Sequence, residues 1–217
     1  VGMRHRAGRP KLDAFDIRLA QPSAAVDIGL LCKQLLQAGN LRLAGGGKHI
    51  SGVSLLKIDT TERVIGSGDG MLRVAGALQI DTGSITAESG AKLLFDAAGT
   101  IELTSKAGAL DPFKTFGATI DFTGDSILSR GRIGLTGGTV NLRARNGDVE
   151  LAAGSSIDVT SAVNRLFDVE VGVGAGKVSL VADRGDIRLA SDASVDVSGS
   201  AAGGDAGVFT ASAGLGS

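Results

Sequence analysis

Two stretches of this 217-residue chain repeat each other without a gap. Residues 139–162 read TVNLRARNGDVELAAGSSIDVTSA and residues 177–200 read KVSLVADRGDIRLASDASVDVSGS, with ten of 24 positions identical. One constant offset carries position 139 onto position 177 and every later position onto its copy. Such self-similarity marks repeat architectures, in which one supersecondary unit buries its apolar face only by stacking on its neighbours. Within each unit the pattern is alternation, turn, alternation. Val140-x-Leu142, Val149-x-Leu151 and Ile157-x-Val159 each put two aliphatics on one face of a short strand. Asn146-Gly147-Asp148 and Gly154-Ser155-Ser156 separate those strands; glycine reaches positive φ cheaply, and Asn or Asp bonds its own backbone. Strands of this length persist only when equivalent strands stack above and below at about 4.8 Å.

Weaker copies of the rhythm run through most of the chain: LRL at 41–43, VSLLKI at 53–58, MLRVAGALQI at 71–80, LLF at 93–95, IEL at 101–103, ATIDF at 118–122 and IGL at 133–135. Turn clusters such as GSGDG (66–70), DTGS (81–84) and ESGAK (88–92) lie between them. Spacing alone also suits a sandwich or barrel, but neither has reason to repeat a whole three-strand unit. The expectation is an all-β solenoid whose aliphatics form inward ladders, Val140 near Val178 and Leu151 near Leu189. Two coil lengths fit. Either a coil takes roughly 25 residues on three faces and 163–176 is an excursion, or the repeat holds two coils of about half its length. Residues 1–40 read as an irregular lead-in to a rod over 41–217. Within it AAVDIGLLCKQLLQAGN (24–40) has apolar residues at helical spacing and a Gly39-Asn40 stop, which predicts a short helix or loop excursion.

Composition agrees with many small corners around an aliphatic core. There are 34 Gly but only three Pro, no Trp, no Tyr and seven Phe, without the triplet period of collagen. Charge is balanced at 22 basic and 23 acidic residues. Counterion release on nucleic acid needs a dense cationic face, and single-strand binding needs aromatic platforms, so no nucleic-acid partner is expected. The one basic cluster, Arg4, His5, Arg6, Arg9 and Lys11, reads as a solvated terminal segment. Cys32 has no internal disulfide partner and reads as a small buried hydrophobe. No signal peptide and no apolar run of bilayer-spanning length is visible, and the chain, starting at Val1, is expected to be an internal piece of a longer polypeptide.

The segment GKVSLVADRGDIRLASDASVDVSGSAAGGDAGVFTASAG resembles the repeats of filamentous haemagglutinin-like exoproteins of two-partner secretion. LLQAGNLRLAGG and ALQIDTGSITAESGAKLLFDAAGTIEL are similar to the irregular coils of large members of that family. The resemblance covers roughly residues 30–217 and is best after Thr139. It implies an all-β right-handed parallel β-helix, secreted through an outer-membrane transporter partner and displayed as a fibre at the bacterial cell surface. It also implies adhesion to a host cell receptor or glycan, biofilm contact, or carriage of a distal toxin. The family's N-terminal secretion domain is not recognisable in this stretch, so binding of the transporter is not assigned to it.

The sharpest binding candidate is Arg184-Gly185-Asp186, because Arg-Gly-Asp on an exposed turn can engage integrins. The aligned unit carries Asn146-Gly147-Asp148 in that slot, so Gly-Asp is what the turn itself requires and only Arg184 is distinctive. A catalytic alternative is a β-helical polysaccharide lyase or hydrolase, in which Asp148 with Asp186, or Asp158 with Asp196, would form stacked carboxylate pairs. The first pair lies in turns and the second alternates with inward aliphatics, so all four are expected to face water. Sugar-cleaving clefts also favour aromatic platforms, and Trp and Tyr are missing. GVGAGKV (172–178) imitates a phosphate loop, but VSLV follows as a strand rather than a helix, and Val178 stands where Ser or Thr is needed. GSGDG at 66–70 matches half of a calcium nonapeptide once only. His5, His49 and Cys32 cannot assemble a zinc site. No cofactor or metal is expected, and a display role without catalysis is the reading, with the lyase or hydrolase as alternative.

Overall fold

The computed structural model describes residues 15–16, 25–27, 33–106, 116–161, 163–166, 169–200 and 203–214. Every regular element among them is a β-strand. The chain first lays down β1 (Phe15–Asp16), β2 (Ala25–Asp27) and β3 (Lys33–Ala38), then β4 (Leu41–Ser51), β5 (Leu55–Thr60) and β6 (Arg63–Val74). Next come β7 (Ala77–Thr82), β8 (Ser84–Ala87), β9 (Lys92–Ala97), β10 (Ile101–Ser105), β11 (Thr119–Gly124), β12 (Ile127–Arg130) and β13 (Arg132–Gly134). The repeated units form β14 (Thr139–Ala144), β15 (Val149–Leu151) and β16 (Ser156–Asp158), then, after β17 (Val163–Leu166) and β18 (Val169–Gly172), β19 (Lys177–Ala182), β20 (Ile187–Leu189) and β21 (Ser194–Asp196). The last strand is β22 (Val208–Ala213).

Apart from the hairpin β17–β18, the described strands pair in parallel with counterparts on other coils, which makes the molecule a parallel β-helix. It has three faces. One is the seven-stranded sheet β20-β15-β12-β10-β7-β5-β3. The other two belong to one continuous sheet, because β4 and β6 run along both and bend between them. The first half of β6 pairs with β8 and its second half with β9. The bends fall at glycines: Gly46 and Gly68 sit at φ +94° and +66°, where a side chain would be strained. In the bend of β4, Lys48 is only 6% exposed and its ammonium donates to Ala44 O at 2.5 Å, occupying a carbonyl the corner turns inward.

Register fixes the length of a coil. Leu56 lies opposite Leu78, Leu78 opposite Ile101, Ile101 opposite Ile127 and Ile127 opposite Val149. These steps along the chain are nearly even, as expected for a coil with three faces. Val149 then lies directly opposite Ile187, a much longer step, and Val140 lies opposite Val178. The long repeat is therefore one coil, not two short ones. Its extra length contains the antiparallel hairpin β17–β18, within the segment 163–176. On the face of β8 the next partner is β13, with Ile85 opposite Ile133. The coil between them supplies no strand to that face among the described residues.

Burial follows the alternation. In β5 and β7 every second residue is buried, and the other is half-buried. Inward positions stack as ladders: Leu41, Val64, Ile85, Ile133 and Ile157 on one face, Leu72, Phe95, Phe122, Leu142 and Leu180 on the next. Each such side chain contributes roughly 1.5–3 kcal/mol when fully buried. Phe95 and Phe122 are stacked, with ring centroids 4.8 Å apart and planes 3° from parallel. The corner between two faces is polar inside, where buried Thr60 donates to the Thr82 hydroxyl at 2.6 Å. Toward β22 the ladders open to water, since no described coil lies over them: Leu151 is fully buried but Leu189 is 51% exposed, and Phe209 is 40% exposed.

Among the described residues of 24–40 the expected short helix is not formed. Residues 25–27 and 33–38 are strands, and β3 pairs with β5 along its whole length, from Lys33 opposite Leu55 to Ala38 opposite Thr60. A neighbouring coil offers this backbone a complete ladder and places Leu36 against the core. That tertiary gain overrides a weak local helical spacing. Gly39-Asn40 does end the element, as a corner in which Asn40 Oδ1 accepts from Arg63 N of the next coil at 3.2 Å. Cys32 and the basic cluster Arg4, His5, Arg6, Arg9 and Lys11 lie outside the described residues.

Candidate arginine groove beside a stacked turn

The turn joining β19 to β20 carries Arg184, Gly185 and Asp186, and it sits directly on the turn Asn146-Gly147-Asp148 joining β14 to β15. Asp186 N donates to Asp148 Oδ1 at 2.8 Å, and Val149 N donates to Asp186 O at 2.9 Å. One coil further down, Gly147 N donates to Asp125 O at 2.8 Å and Asn146 Nδ2 to Asp125 Oδ1 at 2.6 Å. The stack is too close for side chains at its centre. A Cβ on Gly185 would come 2.3 Å from Gly147 O, and one on Gly147 would come 2.9 Å from Ser126 Cβ. The Gly-Asp pair thus answers to packing between coils.

Arg184 and Asp186 are both exposed. The Asp186 carboxylate, 71% exposed, accepts from Arg188 Nη2 at 3.0 Å, while Arg188 Nη1 reaches Asp148 Oδ2 at 2.6 Å. One guanidinium therefore ties the two stacked carboxylates together, an exposed arrangement worth about 1 kcal/mol or less per pair. Arg184 forms no ion pair among the described residues; its one hydrogen bond is a 3.4 Å contact to Asn146 Oδ1.

Beside this turn lies an open groove of about 580 Å³ lined by Thr123, Arg143, Arg145, Asn146, Asp183 and Arg184. Its floor is built by three successive coils. Thr123 on β11 lies opposite Arg143 on β14, which lies opposite Val181 on β19. These are outward positions, the complement of the inward ladder Phe122, Leu142 and Leu180. Arg143 donates Nε to both carboxylate oxygens of Asp183, at 3.2 and 3.0 Å. Arg145 leans the other way: Nη1 donates to Ala97 O at 2.9 Å and Nη2 to Asp96 Oδ1. Asp96 also accepts from Arg73 Nε at 2.8 Å. Burial pushes the Asp96 carboxyl up, but the hydrogen bonds and charges of Arg145 and Arg73 outweigh it and hold the group below the usual carboxylate value.

The other carboxylate pair named from sequence, Asp158 and Asp196, is stacked in register and exposed, as the alternation implies. Each folds back on its own chain. Asp158 Oδ1 accepts from Thr160 N and Oγ1 at 2.9 and 2.7 Å, and Asp196 Oδ1 accepts from Ser198 N and Oγ at 2.9 and 2.6 Å. Those bonds from Ser198 lower the Asp196 pKa. GSGDG at 66–70 is the bend of β6, and Lys177, at the end of GVGAGKV, opens strand β19.

Sequence reasoning found the tripeptide but missed the groove. Arg143, Arg145 and Asp183 sit at outward positions whose meeting with Thr123 depends on an offset between coils. The spacing of Phe122 and Leu142 carries that offset once the coil length is known. Compared with known proteins, the chain matches no family model, no curated sequence and no solved structure.

Proposed function

We propose that the chain is a structural and adhesive segment of a secreted bacterial surface fibre of the filamentous haemagglutinin-like kind. In this role it extends from the outer membrane and meets a host receptor or glycan, while the full-length protein uses an outer-membrane transporter partner for export. One observation supports this reading above others: coils stack in register on three faces around ladders of buried apolar side chains. An architecture of that kind grows along one axis by about 4.8 Å per coil, so seven rungs reach roughly 30 Å. It therefore spends residues on length and on side surfaces. The resemblance of 139–217 to repeats of that family points the same way.

Binding of the purified chain to epithelial cells, alongside Asp186→Glu, tests the reading. Saturable binding that the variant loses is the result expected if the exposed turn meets the receptor. Saturable binding that survives the change keeps the adhesive role and moves it away from Asp186. With no saturable binding, the adhesive half of the proposal fails and a stalk remains.

A further inference from the structure

We infer that Asn146-Gly147 is a latent deamidation site, held shut by Asp125 in the coil below and converted to aspartate or isoaspartate when the stacked turns part. The inference is independent of the adhesive role. Asn146 is the one asparagine of the chain that precedes glycine. Asparagine is thermolabile, and a glycine after it brings no side chain to obstruct attack by its backbone nitrogen. The Asn146 side chain is exposed, so water, the only co-reactant, reaches it.

The reaction needs Gly147 N to give its proton to solvent base and attack Asn146 Cγ. The Cγ–Nδ2 bond then breaks, and ammonia leaves with a proton taken from solvent. Water opens the resulting succinimide at either of its two carbonyl carbons, which leaves aspartate or isoaspartate. The first step requires a free Gly147 N and a side chain turned onto it. In the stacked turn neither is available. Gly147 N donates to Asp125 O at 2.8 Å, and Asn146 N donates to the same oxygen at 3.1 Å. Asn146 Nδ2 donates to Asp125 Oδ1 at 2.6 Å, while its Oδ1 accepts from Arg184 Nη1 at 3.4 Å. The amide thus bridges a carboxylate below and a guanidinium above, one half to each. The backbone is also confined, since a Cβ on Gly147 would come 2.9 Å from Ser126 Cβ.

An ionised carboxylate accepts but cannot donate, so the converted side chain cannot restore the bond to Asp125. It sets a second negative charge against that group and gives Arg184 an ionic partner. In the groove, three guanidinium groups then face two carboxylates instead of one. Isoaspartate adds a methylene to the main chain, for which a turn packed this closely has no room. Conversion therefore weakens the contact between these two coils and records that they have parted.

The test incubates the whole chain in mildly alkaline buffer, with and without urea, and follows the amide-to-acid mass change in the chymotryptic peptide 143–151. Conversion is expected to be about tenfold or more slower in buffer, where it must wait for local opening. In folded Asp125→Ala, which removes the acceptor of Nδ2, it is expected to be about threefold or more faster than in the parent. Equal rates with and without urea overturn the inference, and so does a peptide that stays unconverted in urea. A folded Asp125→Ala that converts at the parent's rate overturns it as well. The urea comparison needs no variant, so it decides the matter even where Asp125→Ala does not fold.

Discussion

Truncating Phe122 measures how strongly one coil holds the next. Its ring is fully buried, stacked on Phe95 in the coil below and opposite Leu142 in the coil above. At 4.8 Å between centroids and 3° between planes, the rings are stacked nearly parallel, and aromatic pairs at this separation are worth about 0.5–1.5 kcal/mol beyond area burial. Phe122→Ala removes the ring and leaves a void that two hydrogen-bonded ladders prevent from closing. The cost expected is about 3–5 kcal/mol. A cycle of Phe95→Leu, Phe122→Leu and the double variant isolates the pair, because leucine already occupies this ladder at 72, 142 and 180 and fits its width. The coupling expected is about 0.5–1.5 kcal/mol. Urea unfolding followed by far-ultraviolet circular dichroism suits a chain without Trp or Tyr. A loss below about 1 kcal/mol for Phe122→Ala, or singles that simply add, would refute the claim that ring stacking couples these coils.

Three further perturbations probe other parts of the fold. Leu180→Asp puts a carboxylate at a fully buried rung between Leu142 and Ala211; the coils around β19 are expected to unfold and become open to limited proteolysis, and a melt identical to the parent's would defeat the register. Gly185→Ala forces a methyl to within 2.3 Å of Gly147 O and is expected to cost about 1–3 kcal/mol, whereas exposed Asp186→Glu stays within about 0.5 kcal/mol; equal urea midpoints for the two would show that the turns do not stack this closely. The Asp96 carboxyl lies below its ordinary value of 3.8, so its bonds to Arg145 and Arg73 stabilise the fold above that pH and are lost as pH falls through the lowered folded value. Asp96→Asn is expected to flatten the acid limb of the stability profile, and an unchanged limb between about pH 5 and pH 2 would show that the carboxylate contributes nothing there.

The inward half of this molecule was legible because its signals are local and repeated. Val140-x-Leu142 specifies a strand with one buried face wherever it occurs, and a gapless copy one coil later fixes Val140 over Val178. The same alignment left 163–176 as surplus only under one of the two coil lengths that the spacing allows, and the register of Val149 with Ile187 decides for it. Residues 33–38 misled because their stability as a strand comes from β5, a whole coil further along the chain, where Ile58 lies opposite Leu36. An isolated segment shows its own spacing and nothing of the neighbour that will cover it. Coil length stayed open at the sequence level because the long step from Val149 to Ile187 is the exception here. The ordinary coils, such as those from Leu56 to Leu78 or Ile101 to Ile127, diverge too far in sequence to align by identity.

The two aligned units also separate packing from recognition. Six of the identical positions, Val140, Leu142, Ala144, Gly147, Asp148 and Leu151, are inward rungs or parts of the stacked turn. Groove residues drawn from these units fall without exception at positions where the units differ: Arg143 against Val181, Arg145 against Asp183, Asn146 against Arg184. A solenoid imposes the same inward chemistry on every coil, because each rung must pack on the last, but it imposes almost nothing outward. Surface chemistry specific to one coil must therefore be written at the non-identical positions. Gly185 and Asp186 belong to the imposed set and Arg184 to the free set. The tripeptide joins two unrelated demands that happen to be adjacent in sequence, and the residue that distinguishes it faces the groove.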